Sequence, residues 1–397
     1  MFVPGLTIGR NRMSAYITEP SLGVLAKPER ASRVQFLDLR ATYREIRDEI
    51  DAAVASVLDS GSYILGQEVE AFEREFAQYL GVKHCIGVST GLDALYLALR
   101  ALNVAPGDEV LVPGNTFIAT WLAVSQAGAV PVPVEPDIES YNLDPSRIES
   151  AITARTKGIV AVHLYGMAAE MDPIREIAGR HGLWVIEDAA QAHGSRYKGA
   201  CVGGLSDAGC WSFYPGKNLG AFGDGGAITT NRDDVAEQAR VLRNYGSKIK
   251  YFNEVKGMNC RLDALQAAML RVKLRHLDEW NDRRRAVAKY YASQLAETDL
   301  VLPATPSWID AVYHLYVVRS ERREALQDHL RERGIGTLIH YPVPPHLQNA
   351  YRDLGMEEGD LPITERIHRE VLSLPMGPHL SLLEAEAVVD AVRAFAP

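Results

Sequence analysis

Two segments of the chain carry side chains with complementary chemistry. In VIEDAAQAHGS, Asp188 closes an apolar run, Leu183 to Ile186, that reads as a buried strand. In SFYPGKNLGAFGDGG, Lys217 follows a second apolar run, Cys210 to Tyr214, and precedes Gly220, Gly223, Gly225 and Gly226. A lysine amine can form a Schiff base with an aldehyde, and a carboxylate can hold a pyridine nitrogen protonated. Those are the two demands of pyridoxal 5′-phosphate (PLP). Each residue alone has a plainer reading, because Asp188 could cap a helix and Lys217 could be a solvated strand end. Taken together, with glycines that let backbone approach a ligand or another chain closely, they point to an enzyme that moves an amino group.

The remaining parts of PLP also find partners. GVSTGLDALYLAL opens a helix at Gly91, and the amides of Leu92 and Asp93 are candidate donors to a phosphate, although simple capping explains the same residues. Ser212, five residues before Lys217, brings a hydroxyl to the same end of the preceding strand. Phe117 in PGNTFIAT follows the run EVLVP and can stack on a flat ring or belong to the core. Gln191 can reach the phenolic oxygen or lie solvated on a helix. Asn259 lies in NYGSKIKYFNEVKGMNCRLDALQAA, which reads as a polar surface loop or as a segment that crosses into a neighbouring subunit.

An alternating architecture must position these groups. Val69, Phe72, Phe76 and Leu80 recur at helical spacing, as do Leu92, Leu95, Tyr96, Leu99 and Leu102. Between such helices come the short runs EVLVP, VPVPV, GIVAVHL, LWVIED and GAITT. Strands alternating with helices imply an α/β chain with a mostly parallel sheet covered on both faces. Ligand groups then collect at the carboxyl ends of the strands, where Asp188 stands. We expect a loose extension over residues 1–33, a large domain over 34–274 with a leading helix from Tyr43 to Leu58, and a small domain over 275–397. The latter begins with a long charged helix, in which Arg283, Arg284 and Arg285 read as a solvated face.

At 397 residues and 47% apolar composition, the chain can bury a large core. Its net charge of -9 argues against a nucleic-acid surface. Cys85, Cys201, Cys210 and Cys260 are scattered without metal spacing and read as reduced thiols of a cytoplasmic protein, so no metal is expected. No apolar stretch approaches the roughly 20 residues of a membrane span.

With these residues in hand, the chain resembles the DegT and StrS type of sugar-nucleotide aminotransferase, a branch of the fold type I PLP enzymes. The marks run from about Phe36 to the C terminus: SGSYILGQEVEAFEREFAQYLG, PGDEVLVPGNTFIAT, VHLYGMAAEMDPI, IEDAAQAHGS, SFYPGKNLGAFGDGGAI, LRNYGS and NCRLDALQAA. The resemblance implies Lys217 as the Schiff-base lysine and Asp188 as the partner of the pyridine nitrogen. It implies Gln191 near the phenolic oxygen, Phe117 on the ring and Ser212 on the phosphate, with cycling between PLP and its amine form, PMP. It also implies a homodimer in which Asn259 completes the partner's phosphate site. Where many relatives carry threonine, this chain has Leu92, which offers an amide and no hydroxyl.

GLDALYLAL, NTFIATWLAVS, VEPDIESYNLDP and HYPVPPH look most like the branch that aminates a dTDP-linked 3-keto-6-deoxyhexose, with glutamate or glutamine as donor. That likeness implies His340 and Tyr341, with Tyr214, near the sugar or the donor, while HYPVPPH can equally be a structural strand end; His163 and His193 are open in the same way. Amination at C-4, or of a keto-inositol, uses the same machinery and stays open, as does a non-catalytic regulator that binds PLP or a sugar nucleotide. Sugar dehydratases of the family have histidine in place of the lysine, so Lys217 speaks against that reading. A dinucleotide oxidoreductase lacks support, because no G-x-G-x-x-G stands between a strand and a helix.

Overall fold

The runs singled out above become the strands of one sheet. In a computed structural model that describes residues 33–395, these are β1 (His84–Val88), β2 (Glu109–Pro113), β3 (Val130–Val134), β4 (Thr156–Val162), β5 (Trp184–Asp188), β6 (Ala208–Ser212) and β7 (Gly226–Thr230). Their order is β1-β7-β6-β5-β4-β2-β3. The neighbours from β6 to β3 pair in parallel, and β7 alone runs antiparallel to both of its neighbours. The expected α/β class with a mostly parallel sheet is therefore what the chain adopts. The expected extension over residues 1–33 falls, except for Arg33, outside the described residues.

Period-two alternation distributes the strand side chains between two faces. Leu111, Ile159, Ala161 and Val185 join Phe72, Phe76 and Trp211 in one core, while Val110, Val112, Val160 and Ile186 join Leu95, Leu99 and Trp121 in the other. The first face is covered by the helix Gln67–Leu80, as its apolar spacing predicts, and the second by Gly91–Ala101 and Ala119–Gln126. A third core gathers Tyr291, Leu295, Tyr316, Val318, Leu372 and Val388 in the C-terminal part of the chain.

Two expectations change. The long charged helix spans Ala264–Leu295, so it begins ahead of Leu274 and a boundary drawn at that residue falls inside continuous helix. Its apolar first turns, with Ala264, Ala267, Ala268 and Leu270 buried, hide the start from a reading that follows charge. The leading helix is two helices, Leu39–Glu45 and Arg47–Ser60, which share a cluster with the long helix through Ile46, Ile50, Met269, Val272 and Trp280. Arg283 pairs with Glu45 and Glu279 at the surface, but Arg284 is buried and donates to the carbonyls of Tyr313 and His314 at 3.2 and 3.3 Å. Among the described residues, no helix is long and apolar enough to cross a membrane.

Close packing between β4 and β5 depends on a missing side chain. A Cβ added at Gly158 would lie 2.1 Å from the Trp184 ring. Gly158→Ala is expected to destabilise the fold by about 1–3 kcal/mol through overpacking, visible as a lower unfolding midpoint; an unchanged midpoint would contradict this register.

Candidate active site

The carboxyl ends of the parallel strands open into a cavity of about 680 Å³. Asp188 ends β5 and Ser212 ends β6, while the segment after β2 brings Thr116, Phe117 and Thr120. Past β1, Thr90 caps the helix Gly91–Ala101, whose first turn points at the same space. Lys217 reaches in from the loop after β6, and the C-terminal part contributes His314, His340 and Tyr341.

Opposite charges face one another across this cavity. Burial raises the pKa of Asp188, against the pull of hydrogen bonds from Thr120 and the amide of Ala190 and of the charge on Lys217. Thr120 Oγ1 donates to its Oδ2 at 2.8 Å and the Ala190 amide to its Oδ1 at 3.2 Å. Burial lowers Lys217 to about 8, and only the Asp188 charge opposes that shift. The lysine is thus poised to supply a neutral amine near physiological pH.

The loop that carries Lys217 is tied to the long helix by buried polar groups. Asn218 Nδ2 donates to Asn281 Oδ1 at 2.8 Å and to the Val312 carbonyl at 3.0 Å. Lys273 is buried, donates to the Gly220 carbonyl and is lowered to about 8 by its burial. Gly220 is obligatory at that contact, because a Cβ would meet the Pro215 carbonyl oxygen at 2.4 Å.

The helix Gly91–Ala101 also presents its N-terminus to the cavity, a suitable setting for an anion. A Cβ on Gly91 would stand 2.6 Å from Ser212 Cβ, so glycine lets the helix N-terminus meet the end of β6. The amides of Gly91 and Leu92 belong to the first helical turn, which has no acceptors within the helix. Asp93 departs from expectation. Its amide donates to Thr90 Oγ1 at 3.0 Å and its carboxylate accepts from Ser89 and Thr90 at 2.6 and 2.8 Å, so the capping reading wins there. Ser212 Oγ accepts from the Tyr214 amide at 3.3 Å and borders the cavity.

Gln191 is part of a closed circuit. Its Oε1 accepts from the Tyr165 amide at 2.7 Å, its Nε2 donates to Tyr341 Oη at 3.1 Å, and Tyr165 Oη donates to the His340 carbonyl. Phe117 is half exposed, at 51%, and its ring centroid lies 5.2 Å from that of Tyr341, so it faces the cavity and is not a core residue. His340 Nδ1 lies 2.9 Å from Ser373 Oγ, and burial with the Lys217 charge lowers it to about 4. Tyr214 lines the cavity and is exposed.

Asn259 does not line the cavity of its own chain; it bridges to Asn244 and is exposed. His163 is structural: its Nδ1 accepts from the Ala169 amide at 3.0 Å, which leaves Nε2 to donate to Glu187 at 3.0 Å. His193 packs on Trp211 and Phe213 and is kept neutral by burial, at about 3. Sequence reasoning missed Thr116, Thr120, Tyr165 and His314. Only the threonines had a signal, a pair four residues apart around Phe117 in NTFIAT.

Residues 44–393 match the DegT/DnrJ/EryC1/StrS aminotransferase family. This chain belongs to that family. It is 57% identical over 365 residues to a dTDP-3-amino-3,4,6-trideoxy-alpha-D-glucose transaminase of Streptomyces venezuelae, covering 92% of this chain and 96% of that protein. The crystal structure of S. venezuelae DesV in complex with a ketimine intermediate superimposes with a TM-score of 0.91 at 56% identity, covering 92% of this chain and 99% of that one. NtdA of Bacillus subtilis with bound PMP gives a TM-score of 0.87 at 33% identity, covering 93% and 86%. The cofactor of this aminotransferase is PLP. The cavity fits it on its own terms, with an ionisable acid, a lysine of lowered pKa and the first turn of a helix all bordering one space.

The lysine carries a pH signature. Capture of PLP by the cofactor-free protein should accelerate through pH 8 and level off above it, because the neutral amine is the reactive form. A rate that keeps climbing past pH 10 would return Lys217 to the ordinary value of 10.5.

Proposed function

We propose that this aminotransferase converts a dTDP-linked 3-keto-6-deoxyhexose to the 3-amino sugar, with glutamate or glutamine as amino donor. The observation that carries the reading is the pair Asp188 and Lys217 facing one cavity, in a chain 57% identical to a 3-aminotransferase of a dTDP sugar. When bound, PLP supplies an aldehyde that captures amines and a ring that accepts the electrons of a broken C–H bond. Lys217 Nζ would hold the aldehyde and, once freed by the donor amine, would serve as the base for the proton on the carbon bearing that amine. Asp188 would keep the pyridine nitrogen protonated. Gly91, Leu92 and Ser212 would hold the phosphate, Phe117 the ring and Gln191 the phenolic oxygen, and His340, Tyr341 and Tyr214 would be left to face the sugar.

The homodimer belongs to the same reading. The hairpin Ser247–Ile249 and Phe252–Asn253 exposes Ile249, Tyr251 and Phe252 at 69, 84 and 69%, an apolar surface out of keeping with a solvated loop. Such a surface fits a second copy, into whose phosphate site Asn259 would reach. Four buried free cysteines support a reducing, cytoplasmic location.

Incubation with glutamate and either dTDP-3-keto- or dTDP-4-keto-6-deoxyhexose, with the product identified by NMR, tests the substrate. Consumption of the 4-keto compound alone would retire C-3 amination. Lys217→Ala should lower turnover by about 10²–10⁴-fold or more and abolish the visible band of lysine-bound cofactor, with the unfolding midpoint little changed. Tyr251→Asp with Phe252→Asp should sediment as a monomer and lose PLP on dialysis; a dimer that retains PLP would contradict the interface.

A further inference from the structure

Asp188 is held by a directed chain of hydroxyls. Thr120 Oγ1 lies 2.8 Å from Asp188 Oδ2 and 2.9 Å from Thr116 Oγ1. An ionised carboxylate only accepts, so Thr120 donates to Asp188 and Thr116 donates to Thr120. Both threonines are buried, at 2 and 1% exposure, and both border the cavity. They stand four residues apart with Phe117 between them, so one short segment supplies the ring to the cavity and the hydroxyls to the acid. Among the described residues, the other oxygen, Oδ1, has only the longer bond from the Ala190 amide at 3.2 Å.

We propose that Thr120, backed by Thr116, is the positioning residue that keeps Asp188 ionised and aimed at the pyridine nitrogen of the cofactor, an inference that rests on the site reading above. Burial by itself favours the neutral acid, and a neutral acid would leave the ring nitrogen without its counter-charge. The ionisable groups that interact with Asp188 are Lys217, His163, Cys210 and Tyr341, and the Lys217 amine is committed to the cofactor's aldehyde. The Thr120 hydroxyl does not titrate and stays in place throughout. Successive hydrogen bonds polarise one another, so Thr116 strengthens the Thr120 bond without touching the acid.

Three variants, Thr120→Val, Thr120→Ser and Thr116→Val, are to be loaded with PLP labelled with ¹⁵N in the ring and compared with the wild type. The ring-nitrogen resonance reads protonation, and steady-state kinetics separate kcat from the donor KM. Thr120→Val should move the resonance from the pyridinium position toward the free base and lower kcat on the order of ten- to a hundredfold, with KM little changed. Thr120→Ser should restore both, and Thr116→Val should shift the resonance the same way by less. An unshifted resonance in Thr120→Val overturns the proposal whatever its kcat; where that variant does not fold, an unshifted resonance in Thr116→Val overturns it. A wild type that takes up no PLP overturns the functional reading and this proposal with it, whereas an unshifted resonance in a PLP-loaded variant overturns the proposal alone.

Discussion

A carboxylate buried at the end of a parallel strand is the constraint on which the site turns. Low dielectric around Asp188 penalises its charge, and the charge is what a protonated pyridine nitrogen needs. The fold meets the penalty with a hydroxyl, an amide and a lysine, each delivered by a different stretch of chain. The same low dielectric pushes Lys217 the other way, to about 8, so burial that strains the acid makes the amine reactive. One environment therefore tunes both groups in the directions that their chemistry requires.

The rest of the architecture keeps that environment shaped. Tyr165, in a left-handed conformation with φ of 59°, turns its amide to Gln191 and its hydroxyl to the His340 carbonyl. Through Gln191 and Tyr341 the sheet end and the C-terminal part are joined at the wall of the cavity. On the other side, the long helix buries Lys273, Asn281 and Arg284, whose bonds run to the Gly220 carbonyl, to Asn218 and to the carbonyls of Tyr313 and His314. Among the described residues, no carboxylate pairs with Lys273 or Arg284. Burial lowers Lys273 to about 8 and Arg284 to about 10, a cost in stability that accompanies the fixing of two loops at the site.

Sequence by itself determined the strands and the sites at their ends. Runs such as EVLVP, LWVIED and GAITT are short, apolar and set off by turns, which is the mark of a strand buried on both faces, and each is a strand of the sheet. Asp188, Lys217, Ser212 and Phe117 were legible for the same local reason: each ends such a run or follows it within a few residues. The start of the long helix was not legible, because its first turns are apolar and buried while the charged periodicity begins later. Arg284 could not be told from Arg283 and Arg285, since which face of a helix is covered depends on what packs there.

Only the tertiary structure decided how the groups were shared out. Asp93 sits in the first turn as expected, yet Thr90 claims its amide, and a cap cannot be distinguished from an anion site by residue type. Thr116 and Thr120 look like any hydroxyls in a loop until β5 brings Asp188 within 2.8 Å of one of them, 68 residues away in the chain. His163 and His193 carry the same ring; one spends both nitrogens on Ala169 and Glu187, and the other is stranded neutral among aromatics. Local pattern fixes which residues stand at a strand end, because that depends on neighbours in sequence, whereas hydrogen-bond partners and burial depend on residues that only folding brings near.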